Sequence, residues 1–115
     1  MEAATTIAPA PSQVPQHMQA LAEANRVRLA RAQLKREVGA GEVETATIVR
    51  ECPWQAETMS VGELLRSQRR WGRTRSRKFL AALTLNENRE LGRLTLRQRQ
   101  MLAAELEQRH GFGQG

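Results

Sequence analysis

Cations crowd one short segment in the middle of this chain. Six of the ten residues from 69 to 78 are basic, and they are Arg69, Arg70, Arg73, Arg75, Arg77 and Lys78. Five of the six are Arg, whose planar guanidinium donates paired hydrogen bonds to a phosphate, whereas Lys supplies a point charge. The basic segment from Arg66 to Lys78 therefore predicts a surface that binds phosphate groups, with Gly72 and Thr74 among its contact residues.

Two smaller groups of cations accompany this segment. Arg89, Arg93 and Arg97 lie just before or within the first turns of the last predicted helix, where free backbone amides favour an anion. They predict a second phosphate contact. Arg28, Arg31 and Lys35 follow helical spacing along one side of a long helix, and they form either a solvated flank or a second binding surface.

The charge of the chain is unevenly distributed. The 115-residue chain has a formal net charge of +6. Residues 66–99 contain eleven cations and only two carboxylates, a net +9, so the remainder is net −3. Such concentration favours phosphate binding, although a merely solvated, soluble surface is the alternative explanation.

Helices must position these side chains, because Ala, Leu, Arg, Glu and Gln dominate and strand formers are scarce. Apolar spacing predicts a long helix over residues 17–38 ended by Gly39 and Gly41, with the narrow stripe Ala20, Ala24, Val27, Ala30, Leu34 and Val38. A short helix over residues 43–50 follows, and Pro53 closes it. The predicted class is all-α, with about five helices.

Two capping boxes mark later helix starts. Ser60 with Glu63 opens a helix that runs towards Arg70 and breaks near Trp71-Gly72, where glycine can supply a backbone conformation that other residues resist. The next helix covers about residues 73–83. Thr95 with Gln98 opens the last helix, which Gly111 should end. Its expected buried side is Leu96, Met101, Leu102, Ala103 and Leu106.

The helix predicted from about Arg73 begins with cations. Cations at a helix amino terminus oppose the macrodipole and ordinarily cost a few tenths of a kcal/mol each. A bound anion would compensate, since free amides, dipole and guanidinium groups would converge on one or two phosphates. Gly72 would let the backbone approach the anion closely.

The sequence indicates one domain with two simple ends. Residues 1–16, with Pro9, Pro11 and Pro15, have no periodicity and predict a disordered tail. Residues 17–110 are expected to form a single helical domain, and residues 111–115 a flexible end. No apolar run is long enough to cross a bilayer and no signal peptide is recognisable, so a cytoplasmic location is expected.

The stretch from Met59 to Leu106 resembles a known DNA-binding module. The segments MSVGELLRSQRRWGRTRSRKFLAAL and LGRLTLRQRQMLAAEL are similar to the helix-two-turn-helix of the actinobacterial-type integration host factors. The resemblance extends back to about Ala20. In that family the turn usually reads Gly-x-Gly before a basic residue, and this chain keeps only the second glycine, Gly72.

The resemblance implies an architectural, nucleoid-associated protein that is monomeric and binds double-stranded DNA through its backbone with little sequence preference. It further implies DNA bending and roles in chromosome organisation, transcription and phage integration. The family's Arg cluster before the last helix is matched by Arg89 and, after a shift, by Arg93. Because Glu90 and Gly92 stand where other basic residues are typical, the grip is expected mainly on Arg69 to Lys78.

Other function classes fit less well. His17 and His110 are isolated, no Cys/His cluster has metal-ligand spacing and no phosphate-binding loop motif occurs, so neither an enzyme, a metal, a cofactor nor a small-molecule substrate is expected. Four aromatic residues are too few for a single-strand stacking platform. Structured RNA and an acidic protein surface stay open as alternative partners.

Overall fold

The computed structural model describes residues 15–113, with side chains through residue 109. Its five α-helices, α1 to α5, are Gln16–Gly39, Thr45–Glu51, Val61–Arg66, Arg73–Ala82 and Leu96–Gly113. Two short 3-10 turns, Trp54–Ala56 and Leu91–Arg93, lie between them, and the described part contains no strand. The all-α prediction with about five helices is confirmed.

Local signals account for most of the boundaries. Gly41 adopts φ +79°, a left-handed conformation that glycine tolerates, just beyond the end of α1. Cys52 caps α2, also in the left-handed region, and Pro53 follows with an extended conformation. At Thr95 the capping box is reciprocal: Gln98 N–H donates to Thr95 Oγ1 at 3.0 Å, and Thr95 N–H donates to Gln98 Oε1 at 2.9 Å.

Only one of the two hydrogen bonds of the capping box at Ser60 forms. Ser60 Oγ accepts from the Glu63 backbone amide at 3.1 Å, as predicted. The Glu63 carboxylate, however, pairs with Lys35 Nζ at 2.8 Å instead of turning back to Ser60. Lys35 of α1 therefore binds the Glu63 carboxylate that would otherwise complete the capping box.

A single core lies where the carboxyl end of α1 meets the other four helices. Within the described residues it contains Leu34, Val38, Ala46, Ile48, Val49, Ala56, Met59, Val61, Leu64, Leu65, Phe79, Leu80, Leu85, Leu91, Leu94, Leu102, Ala103 and Leu106. Helix α2 packs along α5, and the two are also joined by an ion pair between Arg50 and Glu107. Core formation therefore depends on contacts between segments far apart in sequence.

Several expected burial positions are wrong. Of the stripe on α1 only Leu34 and Val38 are buried, whereas Val27 and Ala30 are half-buried and Ala20 and Ala24 are exposed. On α5, Leu96 and Met101 are exposed, leaving Leu102, Ala103 and Leu106 as the buried side. Helical periodicity indicates a face, but the extent of the neighbouring element decides how much of it is covered.

The two ends differ from expectation in detail. Residues 1–14 of the predicted tail lie outside the described residues, and Gln16 already belongs to α1. Helix α5 continues to Gly113, so Gly111 does not end it. A helical glycine costs up to about 1 kcal/mol but stops a helix only when it leaves the helical conformation.

An antiparallel pairing of two loops positions the basic segments. The Val61 amide donates to the Arg89 carbonyl and the Leu91 amide to the Met59 carbonyl, both at 2.9 Å, around a bridge between Ser60 and Glu90. Residues 57–62 and 87–92 are therefore held side by side. This pairing places the loop before α5 directly against the start of α3.

Candidate nucleic-acid interface

Two consecutive turns connect α3 to α4. The Gln68 amide donates to the Leu65 carbonyl, and the Trp71 amide donates to the Gln68 carbonyl, each at 3.1 Å. The chain from α3 to α4 is therefore a helix-two-turn-helix, as predicted. Arg69 and Arg70 occupy the centre of the second turn, and both are exposed.

Arg70, rather than Gly72, holds the unusual conformation of this connection. Arg70 has φ +71°, in the left-handed region, whereas Gly72 has φ −87° and ψ −175°, which any residue adopts. The sequence-based idea that Gly72 supplies a conformation other residues resist is therefore wrong. What Gly72 provides is space, since a Cβ there would meet no atom within 4 Å.

The start of α4 has no cap of its own. Gly72 offers no side-chain oxygen, and the first intrahelical bond is donated by Ser76 to the Gly72 carbonyl at 3.1 Å. The amides of Arg73, Thr74 and Arg75 therefore have no acceptor among the described residues. Free amides at a helix start carry partial positive charge and bind anions.

Helix α3 shows that such amides are satisfied elsewhere in the same unit. Its amides at Val61, Gly62 and Glu63 donate to the Arg89 carbonyl, the Glu87 carbonyl and Ser60 Oγ. Of the two helices that the turns connect, only α4 therefore leaves its first three amides without an acceptor among the described residues. These amides lie where the chain also concentrates its cations.

Most of the predicted contact cations are exposed and unpaired. Within residues 15–109 no carboxylate forms an ion pair with Arg69, Arg70, Arg73, Arg75, Lys78 or Arg97. Thr74 is exposed beside them on the first turn of α4. The first turn itself contains no acidic residue. This face therefore presents uncompensated positive charge.

Within the group from Arg69 to Lys78, Arg77 is the exception, because it is ion-paired. Its Nε lies 3.1 Å from Glu87 Oε2, and Arg66 Nη1 approaches Glu87 Oε1 at 3.7 Å. Glu87 belongs to the loop before α5, so it joins α3, α4 and that loop at one point. The first cation group and the loop containing Arg89 are thereby brought together.

The second cation group lies along that loop and the start of α5. Arg89 and Arg93 are exposed, with Arg89 Nη2 3.5 Å from the Arg93 carbonyl and Arg93 Nε 3.3 Å from Glu90 Oε1. Arg97 is exposed on the first turn of α5. Two of these three guanidiniums are therefore partly occupied, and Arg97 is free within the described part.

The third group does not form a free surface. Arg31 donates to Thr58 Oγ1 in the segment before α3, and Lys35 pairs with Glu63 of α3 at 2.8 Å, so both side chains are engaged within the protein. Arg28 is exposed and hydrogen-bonds Asn25 at 3.2 Å on its own helix. Helical spacing alone could not distinguish these contacts from an open flank.

One cation near the site was missed from the sequence. Arg109, on α5, places its Cζ 5.1 Å from the centroid of the Phe79 ring on α4. Its position had a signal, because Arg109 follows buried Leu106 by three residues and so shares its helical face. With Trp71, Thr74, Arg75 and Lys78 it lines an open concavity of about 500 Å³.

The described residues meet the requirements of neither a metal site nor a membrane-spanning helix. No group of three or more His, Cys, Asp or Glu side chains there could hold a metal ion. None of the described helices has the length and apolarity needed to span a bilayer.

A solved structure of sIHF bound to an 8 bp palindromic DNA resembles this protein, with a TM-score of 0.67 and 22% sequence identity. The match covers 73% of this chain and 97% of the sIHF chain. The two chains share one fold. No protein-family model matches the chain, and no curated protein matches it.

The sIHF fold agrees with the resemblance drawn from residues 59–106. The coverage exceeds the helix-two-turn-helix alone, so the likeness includes elements beyond that unit. At this identity the likeness concerns the backbone, and the chemistry of the interface has to be argued from the side chains of this chain.

Proposed function

We propose that this protein binds double-stranded DNA through the phosphate backbone with little sequence preference, as a monomeric, nucleoid-associated architectural protein. One observation supports this most directly. The uncapped start of α4 places three free amides beside Arg73, Arg75 and Lys78, none of which has a carboxylate partner among the described residues. The sIHF structure, in which the same fold is bound to DNA, supports DNA as the ligand.

Backbone recognition follows from the kind of donors on this face. Amides, guanidinium groups and a hydroxyl bind phosphate oxygens, which every base sequence presents alike. The proposed interface comprises Arg69, Arg70, Gly72, Arg73, Thr74, Arg75, Arg77 and Lys78, with Arg89, Arg93 and Arg97 as its second part. Of the third group only Arg28 stays a candidate contact, because Arg31 and Lys35 are engaged within the protein.

Bending, chromosome organisation, transcription and phage integration belong to the same proposal, as does membership of the actinobacterial-type integration host factors. Two neighbouring cation groups could hold one duplex at two places along its backbone. Bending a duplex site costs roughly 1 to 6 kcal/mol, which contacts at two places can offset. A duplex labelled at both ends for energy transfer would show its ends approaching on binding.

A salt titration tests the core of this proposal. If roughly five phosphates are neutralised, log K should fall with log salt at a slope of about −4 to −5 on any duplex sequence. Replacing Arg73, Arg75 and Lys78 by Gln should flatten that slope by about three. The control replaces two cations on α1, Arg26 and Arg36, by Gln, and its change in slope is compared per charge removed. A near-zero slope for the wild type, or equal losses in the control, would contradict a backbone grip at α4.

Gly72→Ala tests the geometry without changing charge. Its φ of −87° and the open space beside it allow Ala with little effect on folding. A phosphate seated on the α4 amides would contact the added methyl group, so DNA affinity should fall while thermal stability stays nearly constant. Unchanged affinity would place the phosphate elsewhere.

Equal-length duplex RNA provides the comparison with the alternative partners. A-form RNA presents a different groove and phosphate geometry, so preferential binding of DNA is expected. Tighter binding of RNA would favour a structured-RNA role. Absence of binding to either duplex, with capture by an acidic protein surface, would favour a protein-interaction module.

A further inference from the structure

Four side chains beside the α4 start form a continuous chain of ring and cation contacts. Arg75 Cζ lies 4.3 Å from the centroid of the Trp71 ring. The Trp71 and Phe79 rings meet edge to face at 84°, with centroids 5.2 Å apart. Arg109 Cζ lies 5.1 Å from the Phe79 centroid. Two guanidiniums from different helices are thus supported by one pair of rings.

A guanidinium stacked on a ring keeps its N–H edges available. The ring attracts the cation through its face and restricts its rotation, but it accepts no in-plane hydrogen bond. Arg75 and Arg109 are exposed and form no ion pair within residues 15–109. Both are therefore pre-oriented donors without an acceptor.

The position of Arg109 is not explained by pairing on its own helix. Glu105 precedes it by four residues, a spacing and order that favour a helical ion pair. No such pair forms, and the guanidinium instead turns towards α4 and covers Phe79. A cation near the carboxyl end of a helix interacts favourably with the helix dipole, but that effect does not require the guanidinium to point towards α4.

The concavity between these helices is continuous with the proposed interface. Its lining residues include Thr74, Arg75 and Lys78 from α4, with Trp71 and Phe79 as apolar walls and Arg109 on the opposite side. Three cations therefore surround one open depression of about 500 Å³. Among the described residues no carboxylate contributes to its lining.

We propose that this concavity is a third phosphate site, in which Arg109 binds the DNA backbone next to the segment held by the α4 amides. The inference rests on the proposed function, because it extends the same duplex beyond α4 towards the carboxyl end of α5. Trp71 and Phe79 act there as supports for Arg75 and Arg109, so Trp71 is a positioning residue.

Substitutions at Arg109 distinguish the effect of its positive charge from the effect of its packing on Phe79. Arg109→Met keeps an apolar side chain over Phe79 and removes the cation, whereas Arg109→Lys keeps the charge. For Met the salt slope should flatten by about one with nearly unchanged thermal stability, and Lys should restore most of the slope. Arg36→Gln on α1 is the control for a general loss of charge. A wild-type slope for Arg109→Met, or an equal change in Arg36→Gln, would overturn the proposal.

The fluorescence of Trp71 provides an independent readout. The chain has two Trp residues, so Trp54→Phe leaves Trp71 as the reporter. A phosphate in the concavity would draw Arg75 and change the Trp71 emission during a DNA titration. DNA binding without any change in emission would overturn occupancy of the concavity.

The triple variant at α4 distinguishes failure of the third phosphate site from failure of the proposed function. If replacing Arg73, Arg75 and Lys78 weakens binding while Arg109→Met does not, only the third phosphate site fails. If the triple variant binds DNA like the wild type, the proposed function itself fails.

Discussion

Glu87 accepts a hydrogen bond from the guanidinium of Arg77, with 3.1 Å between Oε2 and Nε. Its other oxygen lies 3.7 Å from Arg66 Nη1, so one carboxylate restrains a cation from α3 and another from α4. The Glu87 carboxylate therefore holds α3 and α4 against the loop before α5. It also withdraws positive charge from the face that we propose binds DNA.

Glu87→Gln should therefore strengthen DNA binding. Arg77 would be released towards the phosphate backbone, and the salt slope should steepen by about one. The pair is partly exposed, so the loss of folding stability should stay below about 1 kcal/mol. Glu51→Gln on α2, which removes the same charge away from the helix-two-turn-helix, is the control. A slope identical to that of the wild type would show that Arg77 does not reach the DNA.

Arg70→Gly should separate stability from binding. The left-handed conformation of Arg70 costs roughly 1 to 2 kcal/mol, of which the greater chain entropy of glycine cancels up to about 1 kcal/mol. We expect a net gain of roughly 0.5 to 1 kcal/mol in the free energy of unfolding, together with weaker DNA binding because a cation of the proposed interface is lost.

Arg70→Ala is the matched control for this change. It removes the same charge but keeps a Cβ in the left-handed region, so it should weaken DNA binding without stabilising the fold. Equal stability of the Gly and Ala variants would mean that the turn relaxes and stores no strain at residue 70.

Gly62→Ala should destabilise the fold. A Cβ at Gly62 would lie 2.9 Å from the Glu87 carbonyl oxygen and 3.0 Å from the Glu87 Cβ, where α3 and the loop before α5 are paired. Because backbone must move, we expect a loss of about 1 to 3 kcal/mol in the free energy of unfolding. Gly72→Ala, which meets no atom within 4 Å, should stay within about 0.5 kcal/mol of the wild type. Similar melting temperatures for both variants would contradict the close packing at Gly62.

The Cys52 thiol should react slowly in the folded protein. Burial raises its pKa above the usual value, with Arg99 opposing and Glu57 reinforcing that shift. The thiolate is the reactive form, so alkylation at pH 8 should be slower than in the chain unfolded by denaturant. Equal rates in the two states would show that the thiol is not desolvated.

The same shift has a consequence for stability at high pH. A pKa that is higher in the folded than in the unfolded protein favours the folded state below the unfolded pKa, and this contribution is lost as the pH rises through the folded pKa. The unfolding free energy of the wild type should therefore fall more than that of Cys52→Ala between pH 8 and pH 10. If the unfolding free energies of the two proteins fell equally over this pH range, Cys52 would make no such contribution.

Helix boundaries were largely predictable from the sequence because their causes are local. Ser60 and Thr95 cap amides three residues ahead, and Pro53 restricts the residue before it. The start of α4 at Arg73 was likewise expected, whereas α3 ends at Arg66 and does not reach Arg70 as the sequence had indicated. Each of these features depends on atoms only a few residues apart, so a window of sequence contains its whole explanation.

The composition of the basic site was predictable, whereas the state of each side chain was not. Exposed Arg73, Arg75 and Lys78 agree with their positions at a helix start. Glu87 holds Arg77, Arg31 binds Thr58 before α3, and Lys35 binds Glu63 of α3. All three contacts join residues that are ten or more positions apart in the sequence. Sequence spacing carries no information about which distant partner a long flexible side chain will meet.

By itself the sequence determined an all-helical chain with a cation-rich, uncapped helix start, because helix propensity, capping and charge are properties of neighbouring residues. Only the tertiary structure decided that Arg70 rather than Gly72 is left-handed, that Leu96 and Met101 are exposed, and that Arg109 joins α4 across Phe79. Those outcomes depend on how whole helices pack. Their packing is set by the shared core, to which segments from all five helices contribute at once.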